Sequence, residues 1–140
     1  MTNISARGFT LIEILVVVVI LGILGAVVVP NLMDRPDQAR IQAAKTAVQG
    51  IGGALDLYRL DNFNYSSTDQ GLEALVSRPS GFPEAKNWAE GGYLDKSPLD
   101  PWGNAYAYTN TGSDFELVCY GADGAQGGES VNADINYAEL

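Results

Sequence analysis

The sequence predicts an α+β chain in which one long N-terminal helix packs on a small antiparallel sheet. Three observations carry that expectation. An unbroken apolar run extends from Phe9 to Val29; a stripe of apolar residues at helical spacing follows, from Ile41 to Tyr58; and two β-prone stretches separated by a turn lie near the C-terminus. Too few strands exist for a sandwich, so the sheet must take the helix stripe as its other layer.

The apolar run GFTLIEILVVVVILGILGAVVVP comes first. As a helix, its stretch from Phe9 to Val29, about 21 residues, measures roughly 32 Å, enough to cross a hydrocarbon core of about 30 Å. Its one ionisable residue is Glu13. A carboxylate in such a segment costs about 2.5–3.5 kcal/mol at the bilayer centre and less near an interface, so Glu13 should have a partner. The leader Met1–Gly8 carries one positive charge, Arg7, but the run is longer than a signal-peptide core and no small-residue cleavage site follows Val29. A cut between Gly8 and Phe9 would keep the run in the mature chain and create a cationic amine on Phe9, on the same helix face as Glu13. The plainer alternative is a signal anchor with Glu13 among the lipid headgroups. Gly22, Gly25 and Pro30 weaken the helix and predict a kink or local unwinding.

Past Pro36 the spacing changes the helix's character. Ile41, Ala44, Val48, Ile51, Leu55 and Tyr58 recur three and four residues apart, opposite Gln42, Lys45, Gln49, Asp56 and Arg59. This half, residues 36–60, is amphipathic and offers a core face. Residues 61–104 read as loops around one short helix in TDQGLEALVSRP, ending before Pro79, with Leu72, Leu75 and Val76 inward and Trp88, Tyr93 and Trp102 anchoring turns. Within residues 105–140, strands are expected at Ala105–Thr109 and Phe115–Tyr120, with a third near Asp134–Tyr137. Cys119 reads as a buried strand residue.

The chain has 140 residues, a net charge of −9, no histidine and one cysteine. An acidic balance argues against nucleic acid. Lack of histidine removes the commonest general base and the commonest zinc ligand. A single cysteine excludes an internal disulfide. The chain carries no phosphate-binding P-loop. A carboxylate pair such as Asp95 and Asp100 would suit a hydrolase, but LDKSPLDPWG gives both the setting of turn formers and no nucleophile motif accompanies them. No enzyme is expected. The glycine-rich loop GADGAQGGESVNADI, with Asp123, Glu129, Asn132 and Asp134, has the oxygen-rich composition calcium prefers, yet lacks the spacing of an EF-hand. A solvated acidic loop is the alternative.

GFTLIE with its apolar run and PNLM resembles the class III signal and N-terminal helix of type IV pilin-like proteins. YRLDNFNYSSTDQGLEALV, DPWGNAY and YGADG followed by GG and ADI narrow the resemblance to the major pseudopilins of type II secretion systems, over almost the whole chain. Ser66 and Ser67 depart from a more usual Pro-Thr pair, and Cys119 from a small polar residue. The resemblance implies a pilin-like fold with a leader at 1–8, a membrane and assembly helix at 9–30 and a periplasmic domain at 31–140. It implies cleavage after Gly8 by a prepilin peptidase, N-methylation of Phe9, and pairing of Glu13 with the Phe9 amine of a neighbouring copy. The product would be a helical filament that works with minor pseudopilins and an inner-membrane assembly platform. It also implies a structural calcium ion held by Asp123 and Asp134, with Glu129 or Asn132 able to replace the second. A type IV pilin for adhesion, motility or DNA uptake is the alternative, though those commonly close with a disulfide.

Overall fold

A computed structural model describes residues 8–140, except for the side chains of 28–34. The leader assigned to 1–8 therefore lies, but for Gly8, outside the described residues. The chain divides into two units, Met1–Pro36 and Asp37–Leu140, and one helix, α1 (Leu11–Asn62), contributes to both.

In the first unit α1 opens on a reciprocal cap. Thr10 stands before the helix and Glu13 is its third residue; the Glu13 N–H donates to Thr10 Oγ1 (3.3 Å), while Glu13 Oε2 accepts from the Thr10 N–H (3.0 Å) and hydroxyl (3.1 Å). This satisfies donors that an α-helix start leaves unpaired. Among the described residues, the large apolar side chains from Leu11 to Val27 are all exposed, from 50% at Val16 to 91% at Leu11. Among the described residues no helix is long and apolar enough to cross a membrane. The side chains described for the run end at Val27, two residues short of the span the sequence predicts. The unwinding expected at Gly22, Gly25 and Pro30 is not found, since helix is continuous through all three. Proline keeps a helical φ near −65° and gives up one backbone bond, which neighbouring turns can carry.

In the second unit the predicted stripe is the core. Ala44, Val48, Ile51, Leu55 and Tyr58 are buried, joined by Ala54 and backed by Ile41, while Gln42, Lys45, Gln49, Asp56 and Arg59 are exposed. The helix ends at Asn62, two residues later than expected. Phe63 follows in the left-handed region (φ 67°), its N–H closing on the Arg59 carbonyl at 2.7 Å. The short helix of the next segment is only one turn, Leu72–Leu75. It is cut short because Ser67 and Gln70 form their own cap (Gln70 N–H to Ser67 Oγ 3.1 Å, Ser67 N–H to Gln70 Oε1 2.9 Å) and Gly71 then turns the backbone with φ 60°. Leu75 is fully buried, and Trp88 donates its indole N–H to the Ala74 carbonyl at 2.8 Å.

The sheet has three antiparallel strands, β1 (Ala107–Asn110), β2 (Phe115–Cys119) and β3 (Ile135–Asn136), with β2 in the middle. Ala107 pairs with Val118 and Asn110 with Phe115; Cys119 pairs with Ile135. Period two places Phe115, Leu117 and Cys119 on the face that joins the helix stripe in one core. β1 begins two residues later than predicted because Ala105 bridges to Leu99 instead. Phe115 sits at the centre of an aromatic group, 5.0 Å from the Tyr65 ring and 5.1 Å from the Tyr137 ring.

Candidate functional site

Two places concentrate the residues singled out from sequence: the start of α1 and the loop between β2 and β3. At the first, Gly8, Phe9 and Glu13 lie on exposed backbone at the head of the helix. Glu13 is already engaged, and both bonds it accepts from Thr10 fall on one oxygen, Oε2. The sequence TLIE contains the T-x-x-E pattern of a capping box, so this role was legible beside the charge-pairing one. At its head, then, the apolar helix is closed by its own side chains.

The second place is built around chain reversal. After β2, Gly121 turns with φ 70°, and a side chain there would collide with the Asn132 backbone at 2.8–2.9 Å. The Ala122 N–H donates to the Val131 carbonyl at 3.0 Å, which folds the loop back on itself. Gly128 meets the Asn132 carbonyl just as closely. Only glycine permits both approaches. Asp123 braces the outgoing limb, Oδ1 accepting from the Ala125 N–H at 3.1 Å; Asp134 braces the returning one, Oδ2 accepting from the Gly127 N–H at 2.9 Å. Asp134 Oδ1 is buried and has no hydrogen-bond partner among the described residues. Glu129 is exposed, and its carbonyl accepts from the Asn132 N–H at 3.1 Å. Among the described residues no three acidic, cysteine or histidine side chains form a group that could hold a metal by themselves.

Sequence reading missed how this loop is fastened to the rest of the domain. Asp100 is buried, and its Oδ1 accepts from the backbone N–H groups of Trp102 (2.9 Å) and Asn104 (2.7 Å), shaping the DPWGN turn. Asn104 then donates from Nδ2 to the Gly121 carbonyl at 3.3 Å. The signal was the turn motif itself, which has to end in a side chain able to reach a second loop. Asn62 plays the same part at the helix end: it donates to the Tyr58 carbonyl and Tyr93 Oη and accepts from the Asn87 N–H at 3.0 Å.

Asp100 also faces Cys119, whose thiol donates to Oδ2 at 3.5 Å. Burial, with the Asp100 charge beside it, pushes that thiol up to about 11, the reverse of what a nucleophile needs. Burial likewise pushes the Tyr106 phenol up to about 12. Asp95 is exposed. The Asp95 and Asp100 pair considered for hydrolysis thus has one carboxylate shaping a turn and the other on the surface.

Comparison with known proteins accounts for nearly all of the chain. Residues 31–138 match the family model of the type II secretion system protein G, and residues 4–29 match the prokaryotic N-terminal methylation motif. The core protein G of Pseudomonas aeruginosa is 59% identical over 130 residues, covering 91% of this chain and 92% of that one. That of Vibrio cholerae is 52% identical, covering 91% and 88%. Among solved structures, the major pseudopilin of the type 2 secretion system of enterohaemorrhagic Escherichia coli superposes with a TM-score of 0.67 at 41% identity, covering 81% of this chain and 98% of that one. The pilin-like fold and the pseudopilus subunit role follow, and the type IV pilin alternative is not favoured. The chain belongs to the type II secretion system protein G family, the major pseudopilins.

Proposed function

We propose that the chain is cut between Gly8 and Phe9 by a prepilin peptidase and methylated on Phe9. It is then held in the bacterial inner membrane by residues 9–30, with its C-terminal domain in the periplasm. From there it polymerises through α1 into the pseudopilus that drives export of folded proteins. Its partners are minor pseudopilins and the inner-membrane assembly platform, and the energy comes from other components of the machine; this chain supplies the shaft and does no catalysis. The observation that carries this reading is the apolar half of α1, whose large apolar side chains are exposed from Leu11 to Val27 among the described residues, while the helix caps its own N-terminus. A helix so exposed needs lipid before assembly and other helices after it.

Glu13 sets the register. Thr10 occupies Oε2, so Oε1 is the oxygen assigned to the Phe9 amine of a neighbouring copy. In a surface of otherwise apolar side chains, that ion pair is the only charge-specific contact. Mass spectrometry of the N-terminal peptide from cells tests the route: N-methylated Phe9 is expected, and an uncut Met1 would sink it. Glu13→Gln should leave membrane insertion intact and stop filament formation and secretion; normal secretion by this variant would remove the register role.

A structural calcium ion fits the second place. Asp123 and Asp134 are the proposed carboxylate ligands, with Glu129 or Asn132 as the alternative to the second, and backbone carbonyls and water would complete the shell. In support, the buried Oδ1 of Asp134 has no donor among the described residues, and a buried carboxylate oxygen calls for a donor or a cation. The ion would supply positive charge that ties the two limbs of the loop together. Calcium at a hundredfold excess over its Kd should stabilise the domain by about 2.7 kcal/mol, seen as a raised melting temperature that chelator reverses. Asp134→Ala should abolish that shift, and a melt indifferent to chelator would end the proposal.

A further inference from the structure

The loop at residues 79–83, PSGFP, holds an aromatic ring out of the domain instead of burying it. Phe82 is 91% exposed, more than any other large apolar side chain described in the second unit. Gly81 turns the backbone before it with φ 86°. Three side-chain bonds then fasten the loop: Gln70 donates from Nε2 to the carbonyls of Ser80 and Pro83, both at 3.1 Å, and Arg78 donates to the Ala85 carbonyl at 2.9 Å. Gln70 is itself placed by its reciprocal cap with Ser67. A phenyl ring left in water gains nothing within the chain, so a loop braced to present one has its reason outside the chain. Phe82 is also the shared wall of two clefts. On one side Asp69, Glu73, Ser77 and Arg78 line a cleft of about 520 Å³. On the other, Phe63, Asn64, Glu84 and Lys86 line one of about 530 Å³. Each has the size of a small-molecule site. Phe63 supplies a second exposed ring at the far side of the latter cleft, held in the left-handed region at φ 67°.

We infer that the two clefts and the ring between them bind a neutral oligosaccharide. A sugar ring has an apolar C–H face and a rim of hydroxyls, each both donor and acceptor. The exposed face of Phe82 suits the first. The rim needs uncommitted polar groups of both kinds, and the clefts hold them: the side chains of Asp69, Ser77, Asn64, Glu84 and Lys86 have no hydrogen-bond or ion-pair partner among the described residues. Charge narrows the occupant further. Asp69 and Glu73 stand with Arg78 in one cleft and Glu84 with Lys86 in the other, so neither cleft favours a charged polymer. A polyanion would meet the carboxylates, and a basic peptide the guanidinium and the ammonium. An apolar peptide would need side-chain pockets, which a polar lining does not offer. Clefts on both sides of one ring fit a chain of linked sugars better than a single one. The site stands apart from the filament reading, and either can fail without the other.

The test uses the full-length, isotope-labelled chain in a detergent without a sugar headgroup, titrated with cellotetraose and with chitotetraose and followed by backbone amide NMR. Open clefts give weak binding, so each probe is taken to about 10 mM, roughly tenfold above a millimolar Kd. At least one should move amides at residues 63–64, 69–70 and 77–86 and leave the rest of the domain unmoved. Phe82→Ala removes a ring that packs on nothing, so the melting temperature should hold while affinity falls about tenfold. Phe82→Trp keeps an aromatic face and should bind at least as well as the unaltered chain. No movement with either sugar, or equal movement in Phe82→Ala, overturns the inference. Tetralysine moving these amides where neither sugar does would overturn it in favour of a basic peptide.

Discussion

Leu15 and Leu55 are the same residue on the same helix, yet Leu15 is 62% exposed and Leu55 wholly buried. The difference lies in the pattern around each. Near Leu55 apolar residues alternate with charged ones at helical spacing, so one face meets the sheet and the other meets water. Around Leu15 the helix is apolar on all sides, which no single small domain can cover. One half of α1 completes its packing within the chain; the other half defers it to lipid or to other copies. What the comparison teaches is that apolar content alone does not locate a core, whereas its periodicity does.

The largest expected effect sets the two leucines against each other directly. Leu55→Ala should lower unfolding free energy by about 2–5 kcal/mol, since it leaves a cavity in the buried core to which Val48, Tyr58 and Leu117 also belong. Leu15→Ala should change it by less than about 0.5 kcal/mol and show itself in assembly instead. Denaturant unfolding of the detergent-solubilised chain, followed by near-ultraviolet signals of the tyrosines and tryptophans, measures both. Equal losses would break the comparison, for they would mean that the first half also packs within the chain.

Glycines sharpen the same contrast at a smaller scale. At Gly25 a Cβ would meet nothing within 4 Å, while at Gly52 it would fall onto the Tyr137 ring. Tyr137 closes the C-terminus over the helix and stacks near Phe115, so Gly52 is the gap into which the ring fits. Gly52→Ala should therefore destabilise by about 1–3 kcal/mol through overpacking. Gly25→Ala should leave the domain's melt unchanged, with helix propensity favouring alanine by about 1 kcal/mol. A gain at Gly52 would show that Tyr137 moves aside without loss and that the C-terminal clasp is loose.

Most of this architecture was legible because it depends on short-range spacing. The stripe from Ala44 to Tyr58, the two main strands and the buried Cys119 all follow from local periodicity, and GFTLIE with the later motifs marked the family. The errors share a physical cause. The Leu72–Leu75 turn was read too long because Ser67 and Gln70 cap each other before it, and β1 was started early because Ala105 found Leu99. The Thr10 and Glu13 cap was present in TLIE but was overshadowed by the question of charge. Asn62 and Asn104 were invisible as hubs, since each bonds a segment placed by chain reversals elsewhere: Asn87, Tyr93 and Gly121. The roles of Asp123 and Asp134 within the loop depend on how Gly121 and Gly128 fold it, which composition does not specify.

The smallest expected effect reads the buried half through its one thiol. Cys119 is held up to about 11 against an ordinary 9.0, chiefly by burial and then by the neighbouring Asp100 charge. In the unfolded chain the thiol loses its proton near pH 9, whereas in the folded chain it keeps it, so above pH 9 the native state binds more protons than the unfolded one. Stability should then fall as pH rises from about 9 to about 11 and level off beyond, as far as this group is concerned. Tyr106, raised to about 12 from 10.0, adds a slope of the same sign starting one unit higher. Denaturation midpoints for the unaltered chain and Cys119→Val between pH 8 and pH 10 isolate the thiol, because Val is apolar and does not titrate. The unaltered chain should lose more over that interval than the variant. Parallel curves would mean that Cys119 reaches solvent without unfolding, and the core beneath β2 would then be as open as the apolar half of the helix that the chain leaves uncovered.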